Sequence, residues 1–227
     1  MRQQRNNRMK KLFLGLNMAL LSLLAISCAD KTPGAEGKPG TDGDIKTVQI
    51  DKQVWMAENM AVTTDAEGKP LALDTNYTVA DGAYLYDWET AQRICPKGWH
   101  TPTKDEFTVL VKNAGFESGA ELAGNKEAWA AGTELADSKN FGHTQFNALP
   151  TGYYFKDPAN ENQSKLYGKT FNANFWSSTE GEKNEDPKKD NSNRANCLSI
   201  NHTSVDASVS MVSKEFKMSV RCIRDAK

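Results

Sequence analysis

The chain lacks the residue patterns that most enzyme chemistries need. It has no H-E-x-x-H and no C-x-x-C, and its histidines, His100, His143 and His202, stand far apart. That leaves no local zinc-ligand spacing. No G-x-S-x-G, phosphate-binding loop or dinucleotide fingerprint occurs. Positive charge is also scarce. The 28 Lys and Arg face 29 Asp and Glu, and five of the basic residues fall within residues 1–27, which hold no acid. Residues 28–227 therefore carry 23 against 29, a formal charge of −6. Such a surface argues against nucleic acid or anionic lipid as the main partner. Charged residues are nonetheless 25% and hydrophobic ones 38% of the whole, which excludes wholesale disorder and a multi-span membrane protein. Long apolar runs are missing too. Leu12–Ile26 has 15 uncharged residues; at about 1.5 Å each they reach about 22 Å, short of a bilayer core of about 30 Å.

That run reads instead as the core of an export signal, preceded by Arg2, Arg5, Arg8, Lys10 and Lys11. Its end, Leu24-Ala25-Ile26-Ser27-Cys28, resembles a bacterial lipobox. The resemblance implies cleavage after Ser27, acylation (palmitate-type) of Cys28, and anchoring in a cell envelope through more than one acyl chain. Ala29, rather than an acid, follows Cys28, which by analogy with sorting rules points to the outer membrane or cell surface. Glycine then recurs at 34, 37, 40 and 43, a collagen-like period. Four repeats are too few for a triple helix, so residues 28–45 are expected to form a flexible tether.

The rest, residues 46–227, reads as one domain of ordinary size. Lys46–Ile50 alternates polar and apolar residues, Asp51-Lys52 turns the chain, and Val54-Trp55-Met56 follows, a short hairpin. Residues 61–83 are turn-rich, with little regular structure expected. Asp87 is placed to cap a helix through Ile94. Thr103 and Glu106 form a capping box, and Phe107, Leu110, Val111 and Ala114 lie on one face of a helix that Gly115 ends. A third helix is expected around Ala120–Ala123. Short aromatic-rich strands follow Phe141. The order, a hairpin, two or three short helices, then short antiparallel strands with long loops, predicts an α+β fold. Trp55, Trp99, Phe107 and Trp176 are expected to pack together.

Several motifs in this order resemble a known family. Trp55-Met56-Ala57-Glu58-Asn59-Met60 opens the series. Tyr84-Leu85-Tyr86-Asp87-Trp88 and Ile94-Cys95-Pro96-Lys97-Gly98-Trp99-His100-Thr101-Pro102-Thr103 follow. Phe146-Asn147-Ala148-Leu149-Pro150-Thr151-Gly152-Tyr153, Phe175-Trp176-Ser177-Ser178 and Ser219-Val220-Arg221-Cys222 complete it. The sequence is similar to the Fibrobacter succinogenes major paralogous domain over roughly residues 46–225. The resemblance implies an exported bacterial protein, often a lipoprotein of Bacteroidetes or Fibrobacter. It also implies a C-type-lectin-like fold shared with formylglycine-generating enzymes, and it assigns no biochemical role. By the same analogy Cys95 pairs with Cys222, since lectin-like folds staple the first helical region to the last strand. Cys197 is then expected to be a buried thiol in a strand, with a reactive or intermolecular cysteine as the alternative. The copper site of the formylglycine-generating relatives needs two free cysteines, so no cofactor and no catalysis are expected.

Lectin-like folds bind in their long loops. Glu180, Asp186 and Asp190 offer oxygen ligands for calcium, although Lys183, Lys188 and Lys189 dilute the field and the sugar-binding triplets of C-type lectins are missing. Tyr153, Tyr154, Tyr167 and Phe171 lie among polar residues and turns, a candidate platform for stacking on sugar rings or on a partner protein. The expectation is a non-catalytic envelope lipoprotein that binds a glycan or an envelope protein. The alternatives are a structural subunit of a surface assembly and a divergent enzyme of the formylglycine-generating type.

Overall fold

The computed structural model describes residues 34–155 and 165–226. The expected signal peptide at 1–27, the expected acylation site Cys28 and the first part of the expected tether lie outside the described residues. The chain divides into units 1–30 and 31–227, and only the second is described. Among the described residues, no helix is long and apolar enough to cross a membrane.

The class is α+β, as expected. Four strands form an antiparallel sheet in the order β1 (Lys38–Asp42), β2 (Ile45–Ile50), β3 (Gln53–Met56), β12 (Ile223–Asp225). The β2–β3 pair is the hairpin read from the alternation, with Asp51 in its turn at φ 52°. A second hairpin, β4 (Tyr77–Ala80) with β5 (Ala83–Tyr86), lies partly in the stretch expected to be irregular. Asp81-Gly82 makes its turn, both residues at positive φ (48° and 80°). Asp-Gly is the strongest short-range signal for such a two-residue turn.

Helices are short. Asp87 caps α1 (Trp88–Ala91), its Oδ1 accepting the Thr90 N–H at 2.7 Å; the helix stops before Ile94. The capping box of α2 (Lys104–Ala114) forms in both directions, and Phe107, Leu110 and Ala114 are its buried stripe. Gly115, at φ 96°, ends it in a conformation that costs glycine little. Then come α3 (Ser118–Leu122) and α4 (Glu134–Asp137). Two three-stranded antiparallel sheets complete the unit. One runs β10 (Ala207–Ser213), β9 (Arg194–Asn201), β8 (Asn172–Glu180). The other runs β11 (Phe216–Lys217), β6 (Tyr153–Phe155), β7 (Lys165–Tyr167).

The β8–β9 pair separates two apolar cores, because neighbours along a strand point to opposite faces. Phe175 and Leu198 join Trp55, Phe107 and Phe146 on one side. Trp176 and Cys197 join Tyr86, Trp99 and Cys222 on the other. The four aromatics expected to cluster are thus divided: Trp55 stacks on Phe107 at 5.6 Å, while Trp99 and Trp176 belong to the second core. Trp55 and Trp176 are fully buried; truncating either to alanine costs about 3–5 kcal/mol. The disulfide forms as the resemblance implied, Cys95 to Cys222 with Cα atoms 5.8 Å apart, joining the segment after α1 to the approach to β12. Cys197 is free and buried, and burial pushes its thiol up to about 12.

The expectation of a flexible tether is corrected from Gly34 onward. The Ala35 N–H donates to Asn113 O at 2.8 Å, and the Gly34 N–H donates to Glu121 Oε2 at 2.8 Å. Gln145 Nε2 donates to Gly37 O at 3.0 Å, and β1 then pairs along β2. Two of the four periodic glycines have a packing cause. A Cβ on Gly34 would stand 2.0 Å from Ala114 O, and one on Gly37 would stand 1.7 Å from Thr144 O. These glycines let a strap lie against the domain; they are not spacers in a coil.

Candidate functional site

Arg221 precedes the last strand and is wholly buried. Its Nε–H donates to Asn59 Oδ1 at 3.1 Å, and an Nη2–H donates to the same oxygen. Further N–H groups donate to Phe146 O and, at 3.3 Å, to Asn147 O. The guanidinium lies 4.3 Å from the Phe146 ring centre and 5.1 Å from that of Phe175. Among the described residues it makes no ion pair. Burial pushes its pKa down to about 9, with the charge of Glu58 acting the other way, so it stays a cation at neutral pH. A buried cation held only by neutral oxygens fixes those oxygens firmly.

The consequence lies on the outer side. An open cleft of about 700 Å³ is lined by Asn59, Tyr84, Asn125, Asn147, Thr151 and Arg221, among others. Arg221 takes Asn59 Oδ1 and so sets the flip of that amide, which leaves Nδ2 as a donor for the cleft. Among the described residues, Asn59 Nδ2 and the side-chain amides of Asn125 and Asn147 have no hydrogen-bond partner. Asn125 and Asn147 are exposed and both at positive φ, 49° and 57°. Gly124 brings them together: its N–H donates to Ala148 O at 2.9 Å, and a Cβ on it would stand 2.5 Å from Asn147 Cα. Asparagine is one of the few side chains that tolerates this conformation. Tyr84 stacks on Tyr77 at 5.7 Å. The carboxylates of the cleft are matched, Glu58 with Lys46 at 2.8 Å and Asp81 with Lys169 at 2.7 Å. Apart from the Arg221 cation buried beneath it, the wall therefore offers neutral donors and acceptors beside paired charges. Chemically this suits groups that give and accept hydrogen bonds without carrying charge, hydroxyls above all.

The residues singled out in the sequence stand elsewhere. Tyr153 and Tyr167 do meet, stacked at 5.7 Å across β6 and β7, with Phe216 at 5.0 Å from Tyr153. Tyr154 lies between Leu166 and Lys217 in register, on the opposite face from Tyr153. Phe171 is exposed and packs on His202 at 4.6 Å. The expected platform is thus a half-buried pair plus two separate rings. In the acidic loop, Glu180 is bound to Lys214 at 2.5 Å. Asp186 Oδ1 accepts the Lys188 N–H at 3.0 Å, and Asp190 Oδ1 accepts the Ser192 N–H at 2.9 Å. Hydrogen bonds from Ser192 hold the Asp190 carboxyl below its ordinary range. Among the described residues, no three His, Cys, Asp or Glu side chains gather as a metal site would need. His100 Nε2 lies 2.7 Å from Glu106 Oε1, beside the capping box.

Asn59, Asn147 and Arg221 stand within three of the motifs that carry the family resemblance, but nothing in their spacing marks them as a site. Asn125 had one readable signal, an asparagine directly after a glycine among polar residues.

The family model of the Fibrobacter succinogenes major domain matches residues 48–224, so the chain belongs to that family. Comparison with curated proteins and with solved structures gave no match.

Proposed function

We propose that this member of the Fibrobacter succinogenes major domain family is a non-catalytic binding domain of a cell-envelope lipoprotein, and that its ligand is a neutral glycan seated over Arg221. The carrying observation is the set of three carboxamides around one cleft: among the described residues the side chains of Asn125 and Asn147 have no protein partner, and Asn59, its Oδ1 held by the buried guanidinium, keeps an unpaired Nδ2. Unpaired, pre-oriented polar groups in a concavity are what a hydroxyl-rich ligand exploits. Export and acylation at Cys28 fit this reading: a Cys95–Cys222 disulfide suits an oxidising compartment. A C-type-lectin-like architecture fits it too, because strands from both ends of the domain share one sheet and the disulfide ties the first helical region to the last strand.

The test is a glycan array probed with the mature protein, with and without millimolar calcium. Binding to neutral glycans is expected. A blank array under both conditions refutes the reading.

A further inference from the structure

The cleft over Arg221 does not stand alone. A second depression of about 270 Å³ shares Asp81, Ala83, Leu149 and Thr151 with it and continues to Glu127, Lys169 and Thr170. A third, of about 430 Å³, shares Lys46, Glu58, Asn59, Met60 and Ala61 and continues to Ala66, Ile94 and Lys97. Shared walls make the three one open trough with the carboxamides at its middle. The Asp81–Lys169 ion pair lies where the first depression meets the second, and the Lys46–Glu58 pair where it meets the third. Both junctions are therefore neutralised in place.

Left-handed backbone gathers along the same line, and at Thr170 it is strained. Seven non-glycine residues in the described chain have positive φ, and four of them, Asp81, Asn125, Asn147 and Thr170, line the first two depressions. Thr170, at 67°, is β-branched, a residue type that rarely adopts this conformation. Strain of this kind persists only where surrounding contacts enforce it, and it gathers where a shape is used. Here those contacts are visible: the Thr170 N–H donates to Pro150 O at 3.0 Å, and the Gly124 backbone presses on Asn147.

We infer that the occupant of this trough is a chain of several linked neutral sugar units that runs through all three depressions, with its interior, not its end, over the carboxamides. This rests on the glycan reading of the central cleft and adds the ligand's length and placement. The central depression alone is the size of a small-ligand site; a single sugar would leave both outer depressions unused. At the two junctions a charged polymer would have to break the ion pairs or lie beside them unmatched.

The test is calorimetric titration of the mature lipoprotein in detergent with xylo-, cello- and manno-oligosaccharides of two to eight units. In at least one series, affinity is expected to rise about tenfold or more between two and six units. Exposed Ala66 and Glu127 mark the outer depressions. The variants Ala66→Cys and Glu127→Cys, each coupled to a bulky maleimide, should return six-unit affinity to the two-unit level and leave two-unit binding unchanged. Cys197 does not compete for the reagent, being buried with its thiol pushed up to about 12. Equal affinity at all lengths, or long chains unaffected by both blocks, overturns the inference and leaves the central cleft intact. Failure of every series at every length refutes the glycan reading itself, and the trough inference with it.

Discussion

Replacing Asn59 separates what holds the fold from what meets a ligand. Its Oδ1 takes two N–H groups of Arg221, a buried cation with no carboxylate partner among the described residues. In Asn59→Leu those donors lose their acceptor while the charge remains, because a guanidinium keeps its proton at pH 7. Stranding a buried charge in this way costs about 3–5 kcal/mol. For a unit of this size each kcal/mol moves the melting temperature by about 2–4 °C, so a fall of about 6–20 °C is expected. Asn59→Asp acts oppositely on the fold, since it keeps the acceptor and supplies the missing counter-charge. It should melt at or above the parent at pH 7. The aspartate pKa in that variant is lowered by the cation, so its advantage is present above the ordinary carboxylate pKa and lost as pH falls through the folded value. The same substitution replaces the outward Nδ2 donor with an acceptor, so glycan binding should weaken about tenfold or more although the fold is intact. Differential scanning calorimetry and titration on the two variants read both effects. Asn59→Leu melting within a degree or two of the parent would refute the account of Arg221. Undiminished binding by Asn59→Asp would refute the role of the amide.

The strap makes a second prediction. Gly37→Ala must displace backbone at Thr144 and should cost about 1–3 kcal/mol or detach β1, seen as new protease cleavage near residue 38; an unchanged melt and digest would count against it. Burial raises the Glu121 carboxyl above its usual range, opposed by the Gly34 N–H. The folded state therefore binds that proton more tightly, and the contribution of Glu121 to stability falls as pH rises from the ordinary carboxylate pKa through the raised value. The melting temperature of Glu121→Gln relative to the parent should accordingly climb between pH 4 and pH 8, and a flat difference would contradict this. Breaking the disulfide by Cys95→Ser with Cys222→Ser should cost about 2–5 kcal/mol by denaturant titration. In the native parent, Cys197 should resist alkylation at pH 8 and react only after unfolding.

Much of the fold was legible because its signals are local. The β2–β3 alternation, the Thr103–Glu106 box and the Phe107–Ala114 stripe each need only a few neighbouring residues to act. The strap is not legible for the same reason. Glycine every third residue looks like a coil until Ala114 and Thr144, more than a hundred residues away in one case, are placed against it. That the aromatics divide between two cores is not legible either, because burial of Trp55 and Trp176 is readable in the sequence but their side of the β8–β9 pair is not. The site was the least legible part. Asn59, Asn125 and Asn147 are ordinary polar residues in sequence, and their meaning comes from where Arg221 and Gly124 hold them. The oxygen-rich and aromatic-rich stretches attracted notice through composition, yet their groups are largely occupied with one another.

The claim that the unpaired carboxamides receive the ligand is tested most directly by Asn125→Gly combined with Asn147→Gly. Both positions have positive φ, which glycine adopts without steric cost, so the double variant removes the amides and keeps the backbone. Titrated calorimetrically with the six-unit xylo-, cello- and manno-oligosaccharides, the parent should bind at least one. The double variant, folded by near-ultraviolet circular dichroism, should bind that one about five- to a hundredfold more weakly, as expected for two lost hydrogen bonds. Equal affinity in parent and variant would contradict the account.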